Sequence, residues 1–198
     1  MMRATTGCGR VRMPAVDEHR TADELVAALA EIRQSPAAAG TVELIVRRPA
    51  ENEREVIEEG VLDLELGLVG DVWKARGSSR SPDGSANPDA QLTLMNARAA
   101  RVIAGSEERR PLAGDQLYVD LDLSIDNLPA GTRLAVGDAV IEVTPEPHTG
   151  CAKFSARFGS EALKFVNKSP GRELRLRGVN TRVVTPGTVR SGDAISKL

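Results

Sequence analysis

Apolar and polar positions change period several times along the chain. Thr21 followed by Glu24 is a capping-box signature, and Leu25, Val26, Leu29 and Ile32 recur at helical spacing up to Gln34. Ser35 and Pro36 end that helix. From Thr41 the period shortens to two: Val42, Leu44 and Val46 alternate with Glu43, Ile45 and Arg47, which predicts a strand, and Val56 to Leu66 reads as a second, Glu-rich one. Arg76 to Asp89 is a long polar loop, of a length that in a compact domain is usually functional or disordered.

Beyond the loop, Gln91 to Leu94 reads as a strand and Asn96 to Ala104 as a short helix with Asn96 as its N-cap. Leu117, Val119, Leu121, Leu123 and Ile125 alternate with Tyr118, Asp120, Asp122 and Ser124, which predicts a strand with one core face and one wet face. Leu134 to Val143 reads as a hairpin around Gly137 and Asp138, and Leu174 to Lys197 as two or three strands broken at Pro186-Gly187 and Ser191-Gly192. A Gly-Asp pair with an apolar residue two positions on recurs at Gly70, Gly114, Gly137 and Gly192, each copy a candidate tight turn feeding a strand. The expected fold is mainly β with peripheral helices (α+β), a closed or partly closed barrel over residues 41–198 preceded by a loose tail and the capped helix within 1–40.

Composition narrows the chemistry. The 198 residues carry 26 basic and 28 acidic side chains, a net charge of -2, which argues against a general nucleic-acid or membrane-surface binder. Five aromatic residues are too few for a stacking platform, so the core must be mostly aliphatic. The two cysteines do not make a disulfide framework, the start lacks a signal-peptide pattern and no run is apolar enough to span a membrane, so the expected setting is the cytoplasm with reduced thiols.

Phosphate-loop, dinucleotide-binding, nucleophile-elbow and His-Glu-x-x-His motifs are missing from the sequence, and the calcium-loop start at Asp120 fails at Ile125 and Gly131. His148 and Cys151 have the spacing of half a zinc site with no second half nearby. If Thr149 caps a helix from Cys151 to Phe158, Cys151 falls in its first turn, where free N–H groups stabilise a thiolate, with Lys153 and Arg157 adding positive charge. The other reading is a small buried hydrophobe, since Cys151, Phe154 and Phe158 share a helical face; Cys8 lies in the loose tail. From His148 to Leu198 there are 10 Lys or Arg against 3 Asp or Glu, whereas Met1 to Pro147 holds 16 against 25. The basic share thus collects around Cys151, and its arginines suit bidentate recognition of phosphate or carboxylate.

Several runs occur in an order and spacing similar to the MOSC domain, the domain found at the C-terminus of molybdenum cofactor sulfurases. They are Gly67-Leu68-Val69-Gly70-Asp71, Leu128 to Gly131 leading into Leu134 to Thr144, Cys151 after Pro147, and Arg177-Gly178-Val179-Asn180-Thr181-Arg182 with Pro186 to Asp193. The resemblance covers about Val42 to the end. It implies a β-rich barrel and binding of the molybdenum cofactor (molybdopterin), a pterin dithiolene carrying a phosphate. It also implies that Cys151 either carries sulfur as a persulfide or ligates molybdenum; metal-bound members reduce N-hydroxylated compounds. Two departures stand out. Asn87-Pro88-Asp89-Ala90-Gln91 stands where many standalone members have His-Gly-Gly, and no pyridoxal-phosphate desulfurase domain accompanies the run.

The expected function is therefore cofactor binding with sulfur carriage on Cys151, with His148, Lys153, Arg177 and Arg182 as its cofactor-binding neighbours. A molybdenum-dependent reductase ranks second and a non-catalytic ligand-binding barrel third. A cysteine desulfurase or other sulfur donor, or a redox partner, would complete the system, with the protein itself a monomer or homodimer.

Overall fold

A computed structural model of the protein describes residues 19–78 and 81–198; Cys8 and the tail that contains it lie outside the described residues. The capping box forms as its sequence dictates. Thr21 accepts from the Glu24 amide while the Glu24 carboxylate accepts from the Thr21 amide, opening α1 (Ala22–Ala27). The helix breaks at Ala28 and resumes as α2 (Leu29–Ile32).

Seven strands close a barrel. In ring order they are β11 (Ala194–Lys197), β7 (Arg133–Val136), β8 (Ala139–Val143), β9 (Val179–Thr185), β5 (Leu92–Asn96), β6 (Leu117–Asp120) and β1 (Ala39–Arg47), and β1 pairs with β11 to complete the circle. Only β5 and β6 pair in parallel within the ring, and they are joined by α4 (Ala97–Ala104), as a parallel crossover requires. Asn96 caps α4 by accepting from the Ala99 amide. Outside the ring, β2 (Glu55–Ile57) extends β1, and β3 (Glu59–Asp63), β4 (Gly67–Leu68) and β10 (Gly187–Arg190) form a separate three-stranded sheet. No helix among the described residues is long and apolar enough to cross a membrane.

The barrel has two cores, one inside it and one between its outer wall and the helices. Val42, Ile45, Leu94, Leu117 and Ile141 point inward, while Val46, Met95 and Tyr118 pack outward against Leu25, Ile103, Phe154 and Phe158. This doubling corrects two sequence expectations. On β1 the alternation is interrupted by a bulge between Val42 and Leu44, so Val42 and Ile45 face the interior while Leu44 and Val46 face the helices. On β6 the expected wet face is covered at Tyr118, which is fully buried by the helix layer and donates its hydroxyl to the Arg110 carbonyl at 2.9 Å, while Asp120 is only half-buried. The strand also ends at Asp120. Asp122 forms a turn by accepting from the Ser124 amide, and Ile125 is exposed.

Three of the four Gly-Asp turns do feed strands, at β6, β8 and β11. The first instead opens a helical turn, α3 (Trp73–Arg76), because Asp71 accepts from the Trp73 amide.

Candidate functional site

Between β8 and α5 (Ala152–Asn167) runs the segment Thr144 to Cys151, fixed at three points. Thr144 donates its amide to the Asn180 carbonyl, the Asn180 amide side chain donates to the Glu146 carbonyl at 3.1 Å, and Asn167 grips Gly150 by accepting from its N–H and donating to its C=O. A Cβ at Gly150 would come within 2.8 Å of Leu163 and 3.0 Å of Val166, so a larger residue there would require those side chains to shift. Cys151, not Thr149, stands at the helix N-cap, with extended backbone and its carbonyl accepting from the Ser155 amide at 3.0 Å. The first helical piece ends at Phe158, as its sequence predicts, because Gly159 adopts φ 88°; a second piece then continues to Asn167. The Cys151 side chain is exposed and its thiol free, which removes the buried-hydrophobe reading; Phe154 and Phe158 alone fill the core face.

Cys151 lies at a cleft of roughly 360 Å3 on the seam between barrel wall and helices. Arg48, Arg54, Arg76, Lys153, Arg157 and Arg177 line it, against the carboxylates Glu51 and Glu146. A second pocket, lined by Trp73 and Asn87, adjoins it and shares Arg76, Ala90 and Glu146 with it.

The cations are held from behind. Arg48 makes a two-pronged pair with Asp71 at 2.8 Å on each prong and donates to the Gly114 carbonyl. Arg157 donates to the Leu112 carbonyl, and burial pushes its guanidinium down. Burial, with repulsion from Arg157 and Arg48, brings Arg54 down to about 10. The buried Nε atoms of Arg54 and Arg177 have no hydrogen-bond partner. Orphaned donors in a cationic cleft cost free energy unless an acceptor arrives.

At the back wall, Asp115 is fully buried and accepts from Arg177 at 2.5 Å and from His148 Nε2 at 2.8 Å. Burial alone would push its carboxyl up, but the Arg177 charge and the His148 contact outweigh this and hold it well below the usual carboxylate range. Burial and then Arg177 push His148 below the ordinary imidazole range, against the pull of Asp115. Arg177 also donates to the Ala113 carbonyl and stacks its guanidinium over Phe154 at 5.1 Å.

Of the residues singled out in the sequence, His148, Cys151, Lys153 and Arg177 meet at this cleft. Lys153 does so at the exposed rim, paired with Glu51 at 2.6 Å. Arg182 is not among the lining residues; it sits on the outer barrel surface between Glu142 and Asp89. Sequence reasoning missed Arg48, Arg54, Arg76 and Asp115. The first three belong to the acid-rich part of the chain, where their neighbours' charge concealed them; Asp115 was marked as a turn residue through the Gly114-Asp115 pair and not as part of a site. Among the described residues, no group of three or more His, Cys, Asp or Glu could hold a metal ion, so a metal here would need most of its ligands from a bound cofactor.

The family model of the MOSC domain matches residues 70–196. No curated protein matches the sequence at a significant level. Among solved structures, YuaD from Bacillus subtilis is similar with a TM-score of 0.57 and 16% identity, over 79% of this chain and 94% of that one. YiiM from Escherichia coli is similar with a TM-score of 0.51 and 21% identity, over 80% and 69%. At these identities the structural likeness bears on the fold.

Proposed function

The chain belongs to the MOSC domain family, a domain associated with the molybdenum cofactor, and on that premise we propose that the cleft binds this cofactor and that Cys151 carries sulfur as a persulfide. The observation that carries the reading is the pairing of an exposed thiol with a cationic cleft whose buried Arg54 and Arg177 Nε donors lack partners. That donor set fits an anionic pterin phosphate: Arg54 and Arg177 would hold the anion, with Arg157 beside them, and Cys151 would stand at the sulfur chemistry. When bound, the cofactor supplies the metal centre to which sulfur is delivered. The protein's own residues recognise the anion, keep the Thr144 to Cys151 segment stiff, and present an exposed thiol at the edge of a cationic cleft.

A molybdenum-dependent reductase of N-hydroxylated compounds is the second reading, favoured by the adjoining pocket, which leaves room for a substrate next to the cleft. At the position of the missing His-Gly-Gly stretch, Asn87 caps a short helical turn (Pro88–Ala90) with its side chain and offers no imidazole.

Purification from a host that makes the cofactor, followed by metal analysis and by mass spectrometry after exposure to a hydropersulfide, tests the proposal. The wild-type protein is expected to retain molybdopterin and to gain one sulfur on Cys151, and Cys151→Ala to stay folded and gain none. Sulfur uptake unchanged in Cys151→Ala overturns the carrier role. Near-stoichiometric molybdenum with turnover of N-hydroxylated bases selects the reductase.

A further inference from the structure

The outer face of the small sheet carries apolar surface that neither core uses. Val61, Leu64, Leu66 and Val69 are four of the eight large apolar residues left exposed among the described residues, each at 38% to 54% exposure. Exposed apolar residues scattered singly are ordinary, but these four are neighbours in space as well as in sequence. On β3, Leu62 joins the interior cluster, so Val61 and Asp63 point to the opposite face. The Val69 amide donates to the Val61 carbonyl at 2.9 Å and Thr188 pairs with Val61 from the other side, which sets Thr188, Val61 and Val69 in one cross-strand row. Leu64 and Leu66 stand on the turn between β3 and β4, at the end of that face. The turn is tied down. Asp63 accepts from the amides of Glu65 and Leu66 at 2.8 and 2.9 Å, and the Gln91 side chain donates to the Leu64 carbonyl at 2.8 Å.

Charge says what suits this face. From Glu55 to Asp71 the sequence holds six acids and no Lys or Arg. Arg47, Arg190 and Arg48 neutralise Glu55, Glu59 and Asp71, which leaves Glu58, Asp63 and Glu65 beside the apolar residues with no cation partner among the described residues. A second copy docked about a two-fold axis would bring these carboxylates against their own images, and an anionic bilayer would be repelled. A surface that sets positive charge around an apolar stripe meets both requirements.

We infer that the outer face of β3 and β4 docks another protein, through a segment that presents apolar side chains flanked by Lys or Arg to Val61, Leu64, Leu66 and Val69. The inference is independent of what the cleft binds. The location of the face still relates it to the cleft, since Val72, three residues after Val69, lines the cleft and Asp71 between them holds Arg48. A docked partner would stand beside the cleft without filling it.

The test selects random short peptides displayed on phage against the full-length protein, then measures each enriched peptide on the wild type and on Leu64→Ser/Leu66→Ser. Both substitutions replace exposed side chains, so the variant is expected to keep the wild-type unfolding midpoint. The enriched sequences are expected to combine large apolar residues with an excess of Lys and Arg, and to bind the serine variant at least about tenfold more weakly. They are expected to bind Glu58→Gln/Glu65→Gln about threefold more weakly, and to lose affinity for the wild type as salt rises. If no enriched peptide depends on the two leucines, or those that do carry no excess of Lys and Arg, the inference is overturned. Two further results overturn it: a dimer in sedimentation that the serine variant abolishes, which makes the face a contact between copies, and binding to phosphatidylserine vesicles that the same variant abolishes, which makes it a membrane contact.

Discussion

The inside of the barrel and the seam on its outer wall are both buried, yet they are built from different materials. The interior cluster holds only Val, Leu, Ile and Ala; neither an aromatic ring nor a methionine enters it. The seam packs Tyr118, Phe154, Phe158 and Met95 together with small alanines, and the buried charges Asp115, Arg109, Arg110 and Arg177 lie beside it. A closed cylinder satisfies its backbone internally and gives a buried side-chain charge no route to water, so uniform aliphatic packing suits it. The seam is open along one side as the cleft, and there a charge can be held from behind by a partner and face a ligand in front. Uniform aliphatic packing and buried charge are thus divided between two cores that share the same strands.

Perturbations should therefore separate the two. The largest effect is expected at the seam: Arg177→Met leaves the buried Asp115 carboxylate without its cation and should cost about 3–5 kcal/mol in denaturant unfolding, together with loss of anion binding. Acidification should follow with a smaller effect of the same sign. Above about pH 6.5 His148 is neutral in folded and unfolded chains alike; below it the unfolded chain takes up the proton first, because the folded value is depressed, so stability falls. Below about pH 4 the lowered Asp115 acts in the same direction, its stabilisation being present above that range and lost on further acidification. Unfolding midpoints measured from pH 8 to pH 3 should show both declines, and the upper one should vanish in His148→Gln. The smallest change is expected inside the barrel, where Ile141→Val should cost about 1 kcal/mol. That cost should be the same at pH 5 and pH 8 and leave ligand binding untouched. An Ile141→Val penalty that grows on acidification would mean that the two cores are not independent.

How much of this was legible in the sequence depends on whether a signal is local. The capping box at Thr21, the Asn96 cap and the turn at Gly137 depend on residues within four positions of one another, and each forms as read. Tyr118 was read as facing water because period-two alternation reports two faces without saying what covers the second; here helices cover it. The bulge in β1 is likewise invisible to alternation, since one extra residue reverses every later side chain. The site divides in the same way. Cys151, His148 and Arg177 stood out through a segment and a motif, whereas Arg48 and Arg54 reach the cleft, and Asp115 the space behind it, only through strand pairing and turns. The charge split by sequence position pointed to the cysteine at this cleft but undercounted its surroundings, because three of the cleft's six cations come from the acidic part.

The pairing of Ala39 with Ser196 that closes the ring has a kinetic consequence. The first strand of the cylinder must wait for one that lies almost the whole chain away, so the seam joining them is among the last contacts to form, and closing so long a loop costs entropy before any contact repays it. Until then β1 and β11 each present an unpaired edge to the surroundings. For this protein the hazardous interval is the open cylinder, and a chaperone or a second chain that captures it would do so along those two edges.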